Sequence, residues 1–238
     1  MSLSYRILVV DDSPLILRMV ERALHGGGFD VSTAASGEDA IEHIKRFGLP
    51  HLAIVDINMP PGMDGFEFCD AVHAFSDLPI IMLTAVDEEQ TIVQAIEQYA
   101  EDYVTKPFHA AELVARVRRV LRRVGDFAYT LDPLTKVDKH LQVDFPGKQI
   151  YLDGESITLT PTEAKLLYIL MRNAGRTVTS DFILQRLWPL ELAQEDRLRV
   201  YVHRLRRKIE KTPAHPRYIV SERGIGYTFM GDGARNGA

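Results

Sequence analysis

The chain has 238 residues, 46% hydrophobic and 26% charged, with a formal net charge of −5, a length that suits one large or two ordinary domains. No apolar run reaches the length of a membrane span and the amino terminus has no signal-peptide pattern, so a membrane-spanning or exported protein is not expected. Cys69 is the only cysteine, which excludes an intramolecular disulfide and makes a reducing, cytoplasmic compartment the expectation. Charge also divides the chain: residues 1–124 hold 11 Lys and Arg against 19 Asp and Glu, net −8, whereas residues 125–238 hold 17 against 14, net +3. An acidic half joined to a mildly basic half suggests that only the second meets a polyanion.

In chain order, strand-like apolar runs at 6–10, 29–34, 51–56, 79–83 and 101–104 alternate with helix-patterned segments at 14–26, 37–47, 65–74, 88–98 and 109–123. Five strands alternating with five helices predict a doubly wound, five-stranded parallel sheet with helices on both faces. Such sheets bind ligands beyond the carboxyl ends of their strands. RILVVDD ends in Asp11 and Asp12, HLAIVD ends in Asp56, LPIIMLTA delivers Thr84, and YVTKPF delivers Lys106. One sheet edge thus gathers three carboxylates, a hydroxyl and an ammonium. Three like charges raise one another's pKa unless a cation neutralises them, and a hard divalent ion such as Mg2+ with oxygen ligands suits that role.

The second half opens with residues 125–140, which lose helical periodicity and read as a linker, followed by short alternating strands in LQVDF, QIYLDG and SITLT. TPTEAKLLYILMRNAG predicts a helix capped by Thr160 or Thr162 and ending near Gly175. SDFILQRLW predicts a second helix, and a third spans approximately 195–211, with Leu198, Val202, Leu205 and Ile209 on one face. Its other faces carry Arg197, Arg199, His203, Arg204, Arg206, Arg207 and Lys208. A basic helix opposite an apolar stripe suits a major-groove reader, with the stripe docked on its domain and guanidinium groups turned to phosphates and guanine edges. RYIVSERGIGYTF reads as a hairpin with Arg223 near its tip, and the tail 232–238 has too little apolar content to fold.

The first-half constellation resembles the receiver domain of two-component response regulators, a flavodoxin-like fold, because five separated motifs occur in the right order. TPTEAKLL, VYVHRLRRKIE and RGIGYTF resemble the winged-helix effector domain of the OmpR/PhoB subfamily, so the resemblance covers nearly the whole chain: receiver at 1–124, linker at 125–140, winged-helix DNA-binding domain at 141–231 and a disordered tail at 232–238. By that resemblance Asp56 is the phosphoacceptor. Asp11, Asp12, Asp56 and the backbone carbonyl of Asn58 hold Mg2+, Thr84 and Lys106 contact the phosphoryl group, and Thr84 with Tyr103 forms the switch. The resemblance further implies a cis Lys106–Pro107 bond and a dimer interface with Glu101, Asp102, Glu112, Arg116 and Arg123. It implies a sensor histidine kinase as partner, homodimerisation on phosphorylation, binding to repeated half-sites in double-stranded DNA through the third helix and Arg223, and contact of the LWPLELAQ loop with RNA polymerase. Two departures stand out. The loop DINMPPGMDGFE places Gly65 one residue farther from Asp56 than is usual, with Pro61 as the insertion. Tyr99 replaces the family's glycine, and Ile92 replaces the lysine that pairs across the dimer with the glutamate matching Glu112, which removes one intersubunit ion pair.

Each site residue also has a plainer reading. Asp12 and Ser13 before Pro14 suit a helix start, Asp56 suits a turn, Thr84 a cap and Lys106 a solvated charge, while the basic helix suits a solvated or membrane-facing surface. Their coincidence favours the resemblance. A phosphohydrolase with an aspartyl nucleophile usually carries a second carboxylate two residues on; that position is Asn58, so Mg-dependent self-phosphorylation and slow autodephosphorylation are expected rather than turnover. The remaining alternative is a constitutive DNA-binding protein whose first half only dimerises. The expectation is a phosphorylation-regulated transcription factor.

Overall fold

A computed structural model of the chain describes residues 4–85, 100–124, 129, 132–189 and 191–231. The chain divides into two compact units, residues 1–72 with 78–126 and residues 73–77 with 127–238.

In the first unit, β1 (Arg6–Val10), α1 (Pro14–Gly26), β2 (Asp30–Ala34), α2 (Gly37–Phe47), β3 (Leu52–Asp56), α3 (Gly65–His73), β4 (Ile80–Ala85), β5 (Asp102–Lys106) and α4 (Ala110–Val124) follow one another. The strands form one sheet in the order β2-β1-β3-β4-β5, parallel throughout. The unbroken apolar runs are explained by burial on both faces: Leu52, Ala53, Ile54 and Val55 are fully buried. One face packs Ile7, Val9, Ile54, Ile81 and Leu83 against Val20 and Leu24 of α1 and Leu113, Val117 and Val120 of α4. The register pairs Asp56 with Leu83 and Ala85 with Lys106, so β3, β4 and β5 end at one edge. α2 starts where Ser36 accepts a hydrogen bond from the Asp39 amide, and it carries acids in its first turn and bases in its last, matching the helix dipole. The predicted helix 88–98, which contains Ile92, and the adjoining Tyr99 lie outside the described residues.

The second unit begins with an antiparallel sheet, β6 (Thr135–Lys136), β7 (Leu141–Asp144), β8 (Gln149–Leu152) and β9 (Glu155–Thr158). β6 pairs with β7 inside the stretch expected as linker, a strand of two residues being too short to show alternation. Helices α5 (Pro161–Arg172), α6 (Ser180–Leu187) and α7 (Glu195–Ile209) follow. Thr160 rather than Thr162 caps α5, in a reciprocal box with Glu163. A second sheet orders β10 (Thr177–Thr179), β12 (Gly226–Phe229) and β11 (Ile219–Glu222), of which β10 had no sequence signal. Gly226 is required here, since a Cβ would lie 1.9 Å from the Val178 carbonyl oxygen. Three helices followed by a hairpin constitute the expected winged helix. The tail 232–238 lies outside the described residues.

Candidate functional site

The carboxyl edge of the first sheet brings the acids together. Asp11 follows β1 and is fully buried, Asp56 ends β3 at 7% exposure, and Asp12 is exposed; one oxygen from each lies within 4.8 Å of the others. Lys106, the last residue of β5, places its Nζ 2.8 Å from Asp11 Oδ2 and 2.9 Å from Asp56 Oδ2. The other Asp11 oxygen accepts the Ser13 amide at 2.9 Å, which ties the acid to the start of α1. Thr84 is buried in β4, and Asn58 is exposed two residues beyond Asp56. The Lys106–Pro107 bond is cis.

Electrostatics follow from this packing. Burial pushes the Asp56 carboxyl above its ordinary value, against the pull of Lys106. Burial also opposes the Lys106 charge, yet hydrogen bonds and charge from Asp11 and Asp56 outweigh it and raise its pKa. Among the described residues, this cluster sets one ammonium against three carboxylates, which leaves excess negative charge, and the donors are all oxygen. That set fits a hard divalent cation such as Mg2+. Nearby, Gly65 donates its amide to the Ile57 carbonyl at 2.9 Å, and a Cβ there would lie 2.2 Å from the Asp56 carbonyl oxygen.

Tyr103, the second residue of β5, is half-buried. Beside it, Arg116 bridges Asp102 at 3.2 Å and Glu112 at 2.8 Å, Arg119 reaches Asp102 at 2.6 Å, and Arg123 pairs with Glu101. The five residues expected at a dimer interface thus form a ladder within one chain, and Arg119 joins them without having been singled out by its sequence context.

In the second unit the stripe Leu198, Val202, Leu205 and Ile209 is buried. The cations of α7 divide into two groups. Arg206 donates to the Ile219 carbonyl at 2.9 and 2.6 Å and to Ser221 at 2.9 Å. Lys208 donates to the Thr158 carbonyl at 2.8 Å and pairs with the buried Glu163 at 2.7 Å. These two hold the domain together, a role that sequence alone did not separate from DNA contact. Arg197 lies 4.2 Å above the Trp188 ring and pairs with Glu191, and Arg199 pairs with Glu195 and Asp196. His203, Arg204, Arg207 and Arg223 are exposed. A cleft of about 330 Å³ between α7 and the hairpin is lined by Arg199, His203, Arg206, Arg223 and Tyr227, among others. Among the described residues no helix is long and apolar enough to cross a membrane.

Residues 7–118 match the response regulator receiver domain, and residues 154–229 match the C-terminal domain of transcriptional regulatory proteins. The DNA-binding response regulator MtrA of Mycolicibacterium smegmatis is 39% identical over 223 residues, 93% of this chain and 95% of that protein. The transcriptional regulatory protein KdpE of Mycobacterium tuberculosis is 37% identical over 224 residues, 94% of this chain and 98% of its own length. The solved structure of the response regulator DrrB of Thermotoga maritima, an OmpR/PhoB homologue, is 31% identical and covers 96% of this chain and 100% of its own, with a TM-score of 0.47. A receiver sheet edged with acids, a winged helix carrying a basic helix, and relatives alike across nearly their full length place the chain in the OmpR/PhoB family of DNA-binding response regulators.

Proposed function

We propose that Asp56 is the phosphoacceptor of this regulator, and that its phosphorylation by a sensor histidine kinase promotes receiver dimerisation and binding to repeated DNA half-sites. The observation that carries this reading is the Lys106 ammonium held between Asp11 and Asp56. A carboxylate is a competent nucleophile on phosphorus: an Asp56 oxygen forms the new O–P bond as the donor's P–N bond breaks, and the electron pair leaves on the imidazole nitrogen. Asp11, Asp12, Asp56 and the Asn58 carbonyl hold Mg2+, which when bound supplies charge neutralisation for the transferring group. Lys106 pairs with the phosphoryl oxygens, Thr84 donates its hydroxyl to them, and Tyr103 responds to the Thr84 movement as the switch. With Asn58 two residues past the acceptor, the second carboxylate that an aspartyl-nucleophile phosphohydrolase usually carries at that position is missing, which supports self-phosphorylation with slow loss rather than turnover.

In the dimer, Glu101, Asp102, Glu112, Arg116 and Arg123 exchange part of their ladder with the second receiver. Arg197, Arg199, His203, Arg204 and Arg207 face the major groove, Arg223 probes the minor groove, and the loop before α7 is the surface for RNA polymerase, all in the cytoplasm. Arg206 and Lys208, engaged with Ile219 and Glu163, brace the reading helix instead. The deciding experiment is intact mass after incubation with acetyl phosphate and Mg2+. One phosphoryl group on wild type and none on Asp56→Asn is the expected result. An equal adduct on both would move the acceptor elsewhere.

A further inference from the structure

The loop from Asp56 to Gly65, which is one residue longer than the resemblance leads one to expect, is tied to a different element of the fold. Its ends are fixed locally: the Ile57 amide donates to the Leu83 carbonyl at 3.2 Å, and Asp64 and Glu67 exchange reciprocal amide bonds of 3.0 and 2.8 Å at the start of α3. Its second half is held from the first turn of α2. There the Met63 amide donates to Glu38 Oε1 at 2.8 Å. Gly37 leaves just enough room for the Met63 side chain, since a Cβ on Gly37 would lie 2.7 Å from Met63 Cγ. Gly62, at φ +116°, passes so close to the same carboxylate that a Cβ would lie 2.8 Å from Glu38 Oε1.

We infer that Glu38 is a positioning residue for the phosphoacceptor site: by fixing the longer loop at Met63 it sets where the Asn58 carbonyl stands relative to Asp56, and so the affinity for Mg2+. The inference rests on the acceptor reading above. Its physical basis is that groups which orient a ligand from outside the coordination shell tune metal affinity, their loss typically costing about 10–100-fold. Glu38 is exposed and the Met63 bond holds its carboxyl below the ordinary value, so it is an ionised acceptor at neutral pH and its removal leaves the core intact.

The test uses the full chain. Mg2+ affinity of wild type, Glu38→Ala and Glu38→Gln is measured by titration calorimetry, together with the Mg2+ dependence of phosphorylation by acetyl phosphate. Glu38→Ala is expected to weaken Mg2+ binding about tenfold and to raise the Mg2+ needed for half-maximal phosphorylation, with the saturated rate within about twofold of wild type. Glu38→Gln, which keeps an oxygen for the Met63 amide, is expected to restore both. Unchanged affinity in Glu38→Ala overturns the inference, and so does an equal loss in Glu38→Gln, which would assign the effect to charge alone. Wild type that binds no Mg2+ and takes no phosphoryl group would overturn the acceptor reading itself, a result distinct from either variant's.

Discussion

Lys106 Nζ lies 2.9 Å from Asp56 Oδ2, and this pairing leaves the carboxylate under-compensated: burial still holds the Asp56 pKa above its ordinary value. A carboxyl with a raised folded pKa favours folding fully only below its unfolded value, and that contribution is lost as pH rises through the folded value. Ionised Asp56 therefore works against the fold at neutral pH. Asp56→Asn is expected to stabilise the protein at pH 7 by on the order of 1 kcal/mol, the usual size of a single-substitution effect. The gap should narrow on acidification towards pH 4. Thermal melts of both proteins across that range check it, and a variant that is less stable at pH 7 would contradict it.

Lys106 answers two acids, so its removal has the opposite effect. Breaking one side of a buried ion pair costs about 3–5 kcal/mol, and partial solvent access to Lys106 reduces the expectation for Lys106→Ala to about 2 kcal/mol. Because the lysine's folded pKa is raised, its stabilisation is present below the ordinary lysine value and fades only as pH rises through the higher folded value. The deficit should thus persist across the neutral range. Added Mg2+ should recover part of it, by binding the folded form. Urea unfolding with and without Mg2+ provides the measurement.

The two groups of cations on α7 predict two kinds of variant. Arg207 is exposed, whereas Lys208 sits 2.7 Å from the buried Glu163. Arg207→Ala should lower the slope of log affinity against log salt by about 1 with unchanged stability. Lys208→Ala should leave that slope unchanged and destabilise the winged helix by about 2 kcal/mol, by stranding Glu163. Because Lys208 and the Thr160 amide hold Glu163 below its ordinary value despite burial, this stabilisation is present above the ordinary value and is lost as pH falls through the folded one. Fluorescence anisotropy on an operator fragment at several salt concentrations, with melts at matching pH, separates the two.

The sheet edge was legible because a doubly wound fold imposes both signals at once. Runs such as HLAIVD show burial on two faces, and their terminal residues are placed at one edge by topology alone. The stripe from Leu198 to Ile209 was legible for a similar reason, as its period is the helix's own. What escaped was short or distant. β6 and β10 have two and three residues, fewer than one alternation needs. The partners of Arg206, Lys208 and Glu38 are set by packing, at sequence separations of 13, 45 and 25, so the chain around each charged group gave no sign of its occupation. Arg119 was hidden among five arginines of one helix, of which only the fold selects those that reach Asp102.

Asp138 shows how a residue in the stretch expected as linker anchors the winged helix. It is 4% exposed. One oxygen accepts the amides of His140 at 2.8 Å and Leu141 at 2.9 Å, and the other accepts the Tyr218 hydroxyl at 2.9 Å and pairs with Arg217 at 3.0 Å. Burial pushes its pKa up, but these four partners outweigh burial and hold it below the ordinary value. A depressed carboxyl stabilises above its unfolded pKa and loses that effect as pH falls through the folded one. Asp138→Ala strands several buried donors, each worth about 1–3 kcal/mol when unsatisfied, and solvent access to Arg217 lowers the sum, so a loss of about 3 kcal/mol is expected at pH 7. Tyr218→Phe, which removes only one hydroxyl, should lose about 1 kcal/mol. Urea unfolding at pH 7 and pH 3 is the check: the Asp138→Ala deficit should shrink at the lower pH, whereas a deficit independent of pH would mean that packing, not the carboxylate's hydrogen bonds, joins the first strands to the hairpin.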